Sequence, residues 1–240
     1  MTRVHGELEL LQGDPLDVAP RVLGALVHCR GVTVRLTEVE AYRGEDDPGS
    51  HAFRGETPRT SPMFAGAGHV YAYFTYGMHT CVNLVCGPAG RAGALLLRAG
   101  EVVAGAEAAL ERRRGGRPER SIPHRDLARG PARLAQALGV TLADSGSLLA
   151  PVDDIEADGL RLEPRPAAAP ALVARGPRVG VAGPGGGAEY PWRFWLEGEP
   201  TVSVYRAAVR RRAAGPQSSG SQSSGPQSSG QRSGPRRAAG

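Results

Sequence analysis

The chain contains no lysine: every one of its 29 Lys and Arg residues is arginine. A Schiff-base intermediate needs an amine that can lose its proton, and a guanidinium cannot supply one. Apart from the N-terminal amine, lysine-type covalent catalysis is therefore excluded. Aromatic residues are also scarce, with two Trp, six Tyr and four Phe among 240 residues, so a place where they crowd together demands a reason. The three cysteines, Cys29, Cys81 and Cys86, cannot all pair, and neither Cys81 nor Cys86 has a partner at zinc-ligand spacing. They read as buried or free thiols in a reducing compartment. No apolar run approaches the roughly 18–20 residues that span a bilayer. The first dozen residues lack the basic and apolar regions of a secretory signal, so a cytoplasmic chain without a membrane partner is expected.

Net charge is +5, but it is unevenly placed. Seven arginines and no acid lie from Arg206 onward, so the first 205 residues carry −2 of that total. The body is not basic overall, and affinity for a polyanion must come from local patches. One candidate is residues 111–133, with eight Arg against Glu111, Glu119 and Asp126; its alternative reading is a solvated face. Beyond about Ala213 the chain repeats PQSSG, SQSSG and PQSSG with nothing to bury, which reads as a disordered tail able to add non-specific contacts. The boundaries expected are one domain over 1–212 and a tail over 213–240.

Asp14-Pro15 opens a helix expected to run to about Leu26. Residues 31–42 alternate, with Val32, Val34 and Leu36 on one strand face that continues into Glu38 and Glu40. An apolar face ending in carboxylates is unusual, because burying an unpaired charge is costly. Residues 43–68 form a long loop, and loops of that length in a compact domain tend to be functional. Strands follow over His69–Tyr76, Asn83–Val85 and Gly93–Ala99. Helices are expected over Glu101–Arg114 and from Gly130-Pro131 to Leu138, short strands and loops over 141–190, and a closing hairpin over 191–205.

Chemistry-bearing residues concentrate between Glu38 and Arg98: a carboxylate at a strand end, a loop with His51, an aromatic strand with Tyr71, Tyr73 and Tyr76, then Asn83. Such a set suits the capture of a nucleobase, which must be taken out of its stack and sandwiched between flat side chains. Each base–aromatic stack contributes about 1–3 kcal/mol. A wedge then fills the vacated gap, and Tyr76 before the Gly77 turn suits that part. Tyr71, Phe74 and Phe64 read as core, and Glu38 as structural.

The runs TEVEAYRGEDDPGSHAFRGETPRTSPMF, GHVYAYFTYGMHTCVNLV and GALLLRAGEV resemble the alkyladenine (3-methyladenine) DNA glycosylase family. GPARLAQALG, ARGPRVGV and FWLEGEPTVSV resemble it as well, in collinear order over most of residues 14–205. The tail lies outside the resemblance. What the resemblance implies is a monofunctional glycosylase acting on damaged double-stranded DNA. Glu40 is implied as the general base for the attacking water, Arg98 as a residue that holds that water, and the Val202 carbonyl as its third contact. Tyr42, His51 and Tyr73 are implied as the base pocket, Asn83 as the side chain that rejects the 2-amino group of guanine, and Tyr76 with Met78 as the intercalating element. One departure from the family's animal members is His79, where they carry an aromatic after Y-G-M.

The expected fold is α+β, a single domain with a curved antiparallel sheet surrounded by helices and a DNA face from 43–79. A monomer is expected, associated with the nucleoid, with no cofactor and no metal. Two other readings stay open: a non-catalytic nucleic-acid-binding module using the same aromatics, and a metal hydrolase using Glu38, Glu40, Asp46, Asp47 and His51.

Overall fold

The computed structural model describes residues 8–75, 77, 79–165 and 172–208. Tyr76, Met78 and the tail lie outside the described residues. Among the described residues eight antiparallel strands build one sheet. In chain order they are β1 (Leu26–Cys29), β2 (Val32–Tyr42), β3 (Val70–Thr75), β4 (His79–Val85), β5 (Ala94–Ala104), β6 (Arg161–Glu163), β7 (Val173–Gly176) and β8 (Arg193–Leu196). The order across the sheet is β3-β4-β5-β2-β1-β6, and β8 pairs with both β2 and β7. Strand β2 is the hub: β5 runs along one edge, while β1 takes Val32–Arg35 and β8 takes Glu38–Glu40 on the other. With helices packed on the sheet, the class is α+β.

Among the described residues the sheet is covered by α1 (Pro15–Val22), α2 (Ala106–Arg114) and α3 (Pro131–Leu138). Asp14 caps α1 by accepting the Leu16 N–H at 2.9 Å, and Pro15 occupies the first turn. The apolar faces of α1 and α3 (Val18, Ala19 and Val22; Leu134, Ala135 and Leu138) join Val27, Val34, Leu95 and Leu97 in the main core. A second cluster, with Ala52, Met63, Tyr71, Val85 and Ala94, lies under the 43–68 loop. That loop is irregular apart from two short 3₁₀ turns, Gly44–Asp46 and Ser61–Phe64. Among the described residues no helix is long and apolar enough to cross a membrane.

Several expectations are corrected. The first helix stops at Val22, because Gly24 takes φ +85° and Leu26 begins β1. The second helix begins at Ala106 and not at Glu101, which is a β5 residue opposite Arg35. Gly105 makes that change of direction at φ +72°, and a side chain there would collide with the Gly31 carbonyl. Only Arg193–Leu196 of the expected 191–205 hairpin is strand; the rest returns as an irregular segment. Phe74 is 48% exposed rather than core.

The most consequential correction concerns β2. Its core-facing residues run Val32, Val34, Leu36 and then Val39, Ala41. The register against β5 shifts on both sides of Glu38, which marks a bulge. One inserted residue reverses the side-chain alternation. Glu38 and Glu40 therefore do not continue the apolar face; the bulge turns them to the opposite side of the sheet, together with Leu96 and Arg98 of β5.

Candidate active site

On that opposite side lies a cavity of about 320 Å³. Its walls bring together Glu40 and Tyr42 from β2, His51 from the long loop, Tyr71 and Tyr73 from β3, Asn83 from β4 and Arg98 from β5. The segment Val179–Ala182 closes another side. Glu40 has no exposed surface, yet it is held by three donors. The Val179 N–H reaches Oε1 at 2.7 Å, the Tyr42 hydroxyl reaches Oε2 at 3.0 Å, and Arg98 Nη1 lies 3.4 Å from Oε1. Burial and the Glu40 charge push the Tyr42 phenol well above its ordinary pKa, so it stays protonated and donates.

Arg98 links two carboxylates. Its Nε donates to Glu38 Oε1 at 2.8 Å while Nη1 faces Glu40. Burial works against its charge, but Glu40 and Glu38 outweigh that and hold its pKa above the ordinary guanidinium value. Glu38 is saturated by the protein: Arg193 Nε donates at 2.6 Å, the Ser203 N–H at 2.7 Å and the Ser203 hydroxyl at 2.9 Å.

The aromatic wall is tied together as a unit. Tyr71 and Tyr73 stack at a centroid separation of 5.4 Å, and His51 meets Tyr73 edge-on at 4.6 Å. His51 Nδ1 lies 3.1 Å from the Tyr71 hydroxyl. Burial, then the Arg59 charge, lowers the His51 pKa, which favours a neutral imidazole. Asn83 Nδ2 donates to the Tyr71 carbonyl at 2.9 Å, fixing its side chain across the β3–β4 pair. Burial also pushes the Cys81 thiol up to about 11, so this cavity-lining cysteine is not a thiolate.

A family model described as Methylpurine-DNA glycosylase (MPG) matches residues 9–200. A protein of Leifsonia xyli subsp. xyli, provisionally named 3-methyladenine DNA glycosylase, is 56% identical over 197 residues, covering 80% of this chain and 88% of its own. A Streptomyces avermitilis protein with the same provisional name is 52% identical over 202 residues, covering 82% and 90%. One from Corynebacterium efficiens is 43% identical over 199 residues, covering 82% and 96%. The chain belongs to the methylpurine-DNA glycosylase family. Its class is DNA glycosylase and its process DNA repair.

Glycosylase-type residues that sequence pointed to fall into three groups. Glu40, Tyr42, His51, Tyr73, Asn83 and Arg98 line the one cavity. Val202 does not: its carbonyl accepts Arg129 Nε at 2.9 Å, and it is Val179 that lines the cavity against Glu40. Tyr76 and Met78 lie outside the described residues. Among the residues suggested for a metal hydrolase, Glu38 is committed to two arginines and Asp47 to a third. No cluster of three His, Cys, Asp or Glu able to hold a metal occurs among the described residues.

Sequence reasoning missed the support behind this cavity. Asp47 and Arg178, both fully buried, form a bidentate pair at 2.6 and 2.7 Å. The Arg178 guanidinium lies over the Tyr42 ring, 4.5 Å from its centroid, and also donates to the Ala41 and Gly185 carbonyls. It thereby fixes the loop after β2 to the 176–187 segment that delivers the Val179 N–H. The block ARGPRVGV carried that signal, but the distance of 131 residues between the partners hid it.

Proposed function

We propose that this chain excises alkylated purines, 3-methyladenine among them, from duplex DNA by flipping the nucleotide into the cavity and directing a water at C1′. The observation that carries the reading is Glu40: a fully buried carboxylate, held by fixed donors, in the wall of a cavity faced with Tyr42, Tyr73 and His51. An N3-alkylated adenine is already cationic, so its glycosidic bond is weak and its leaving electrons neutralise it. The C1′–N bond breaks with its electron pair passing to the base; the water oxygen bonds to C1′ and its proton goes to Glu40. The negative charge of Glu40 also stabilises the cationic character that develops on the sugar.

Arg98 and the Val179 N–H hold the base in position for that water, and a neutral His51 avoids repelling a cationic purine. Asn83 rejects the guanine 2-amino group. Tyr76, with Met78 beside it, fills the gap left in the duplex, and Tyr76→Ser is expected to weaken duplex binding and flipping. Hypoxanthine and etheno-adenine leave as anions unless protonated, so they are released more slowly than 3-methyladenine. The protein works as a monomer on the nucleoid, with the arginines from Arg206 onward adding non-specific phosphate contacts. The product is free base and an abasic site, and without lysine no strand cleavage by β-elimination follows.

The test is Glu40→Gln. Single-turnover excision is expected to fall by about 10²–10⁴-fold, the usual contribution of a positioned general base, while binding to lesion-bearing duplex is kept. A variant that excises at the wild-type rate refutes water activation by Glu40. A wild type that binds but releases nothing points to a binding module instead.

A further inference from the structure

Beside the base cavity runs a second and larger groove, about 560 Å³ in volume. The end of α2, the loop after it and α3 bring Arg113, Arg117, Arg120 and Arg133 to one side, opposite His79 and Thr80 of β4. Five arginines elsewhere, Arg30, Arg35, Arg98, Arg178 and Arg193, each hold a carboxylate. Among the described residues none of the four groove arginines forms an ion pair. Arg113 is only 6% exposed; Nη1 donates to Gln136 Oε1 at 2.5 Å, but Nε is buried with no hydrogen-bond partner. Burial, followed by the charges of Arg133 and Arg120, pulls its pKa down to about 10. Asp126 offsets this in part but is itself ion-paired with Arg129 at 3.4 Å. Buried positive charge without a counterion is costly, and an anion in the groove would relieve it.

The groove and the cavity use neighbouring residues of the same two elements, on opposite faces of β4. Thr80 lines the groove and Cys81 the cavity; Ala132 lines the groove and Pro131 the cavity. Among the described residues no aromatic ring other than His79 lines the groove. We propose that this groove is a phosphate site, which takes the backbone diesters of the DNA strand beside the flipped nucleotide. The proposal rests on the reading of the cavity given above. Arg113 sets the charge at the floor, and the exposed Arg117, Arg120 and Arg133 grip the diesters.

The test measures binding of the full chain to an undamaged duplex over a range of KCl. Each neutralised phosphate adds about 0.9 to the slope of log K against log salt. Arg117→Gln, Arg120→Gln and Arg133→Gln combined are expected to lower that slope by roughly two to three units. The control Arg175→Gln, at an exposed position on β7 outside the groove, is expected to change it by less than about half a unit. A triple variant within about half a unit of wild type overturns the proposal. A second arm adds inorganic phosphate, with KCl at matched ionic strength as reference, and follows the thermal midpoint. Protection by phosphate with an unchanged DNA salt slope would assign the groove to a free anion and overturn the DNA reading. Binding to undamaged duplex does not depend on excision. A lowered slope in a protein that releases no base would keep the groove and sink the glycosylase mechanism; normal excision with an unchanged slope would do the reverse.

Discussion

Glu38 and Glu40 stand two residues apart on β2, on the same side of the sheet, and neither has any exposed surface. By burial alone they are indistinguishable. Their partners separate them. Glu38 meets Arg98, Arg193 and both polar groups of Ser203, a shell that joins β2, β5, β8 and the 197–205 return and leaves the carboxylate nothing further to do. Glu40 meets one backbone N–H, one phenol and the far side of Arg98, and it lines a cavity large enough for a base. A buried carboxylate saturated by protein donors holds a structure together. One that is fixed but open on a cavity is available for chemistry. The difference was produced by one bulge, which places both on a face where charge can be satisfied, and by the choice of which residue the returning chain covers.

Substitutions can break this contrast. The largest expected effect is on Glu38→Ala, which strands Arg98 and Arg193 in a buried site; breaking a buried pair costs about 3–5 kcal/mol, and urea unfolding should show a loss of that size. A stability equal to wild type would mean that the Glu38 shell is not structural. Asp47→Ala strands only Arg178 and is expected to cost a similar amount or slightly less, again about 3–5 kcal/mol. It should also slow excision, since Tyr42 and Val179 lose their common support; excision at the wild-type rate per folded molecule would contradict that link. Tyr42→Phe removes one hydrogen bond to a charged oxygen and should slow single-turnover excision by about tenfold with little change in the thermal midpoint.

The smallest effect concerns His51. Its pKa lies below the ordinary 6.5, so the folded state favours the neutral ring. Stability lent by His51 is therefore present above that ordinary value and is lost as pH falls below it toward the folded pKa. Arg59→Gln removes the second of the two causes and should move the His51 titration, followed by NMR, upward toward the ordinary value. A downward shift would reverse the assigned cause.

Much of this was legible in the sequence because it depends on local pattern. The β2 alternation up to Leu36, the Asp14-Pro15 cap, the α3 start at Gly130-Pro131 and the crowding of Tyr42, His51 and Tyr73 near Glu40 all come from neighbours in the chain. The parity reversal at Glu38 was not legible, because a bulge is decided by the partner strand and no residue in TEVEAY marks it. Glu101 was misassigned to a helix because its side chain favours one, while pairing with Arg35 keeps it in β5. The Asp47–Arg178 pair was hidden for the same reason as Val179: both depend on a contact between segments more than a hundred residues apart. Phe74 shows the converse error, an aromatic assumed to be core on a strand whose end projects from the sheet.

The most direct test is single-turnover reaction of the wild type with a duplex carrying one 3-methyladenine-type lesion, in EDTA, with the strands examined before and after alkali. The account predicts release of free base with strands intact until alkali is added. Strand breakage before alkali, or no release of base at all, would contradict it.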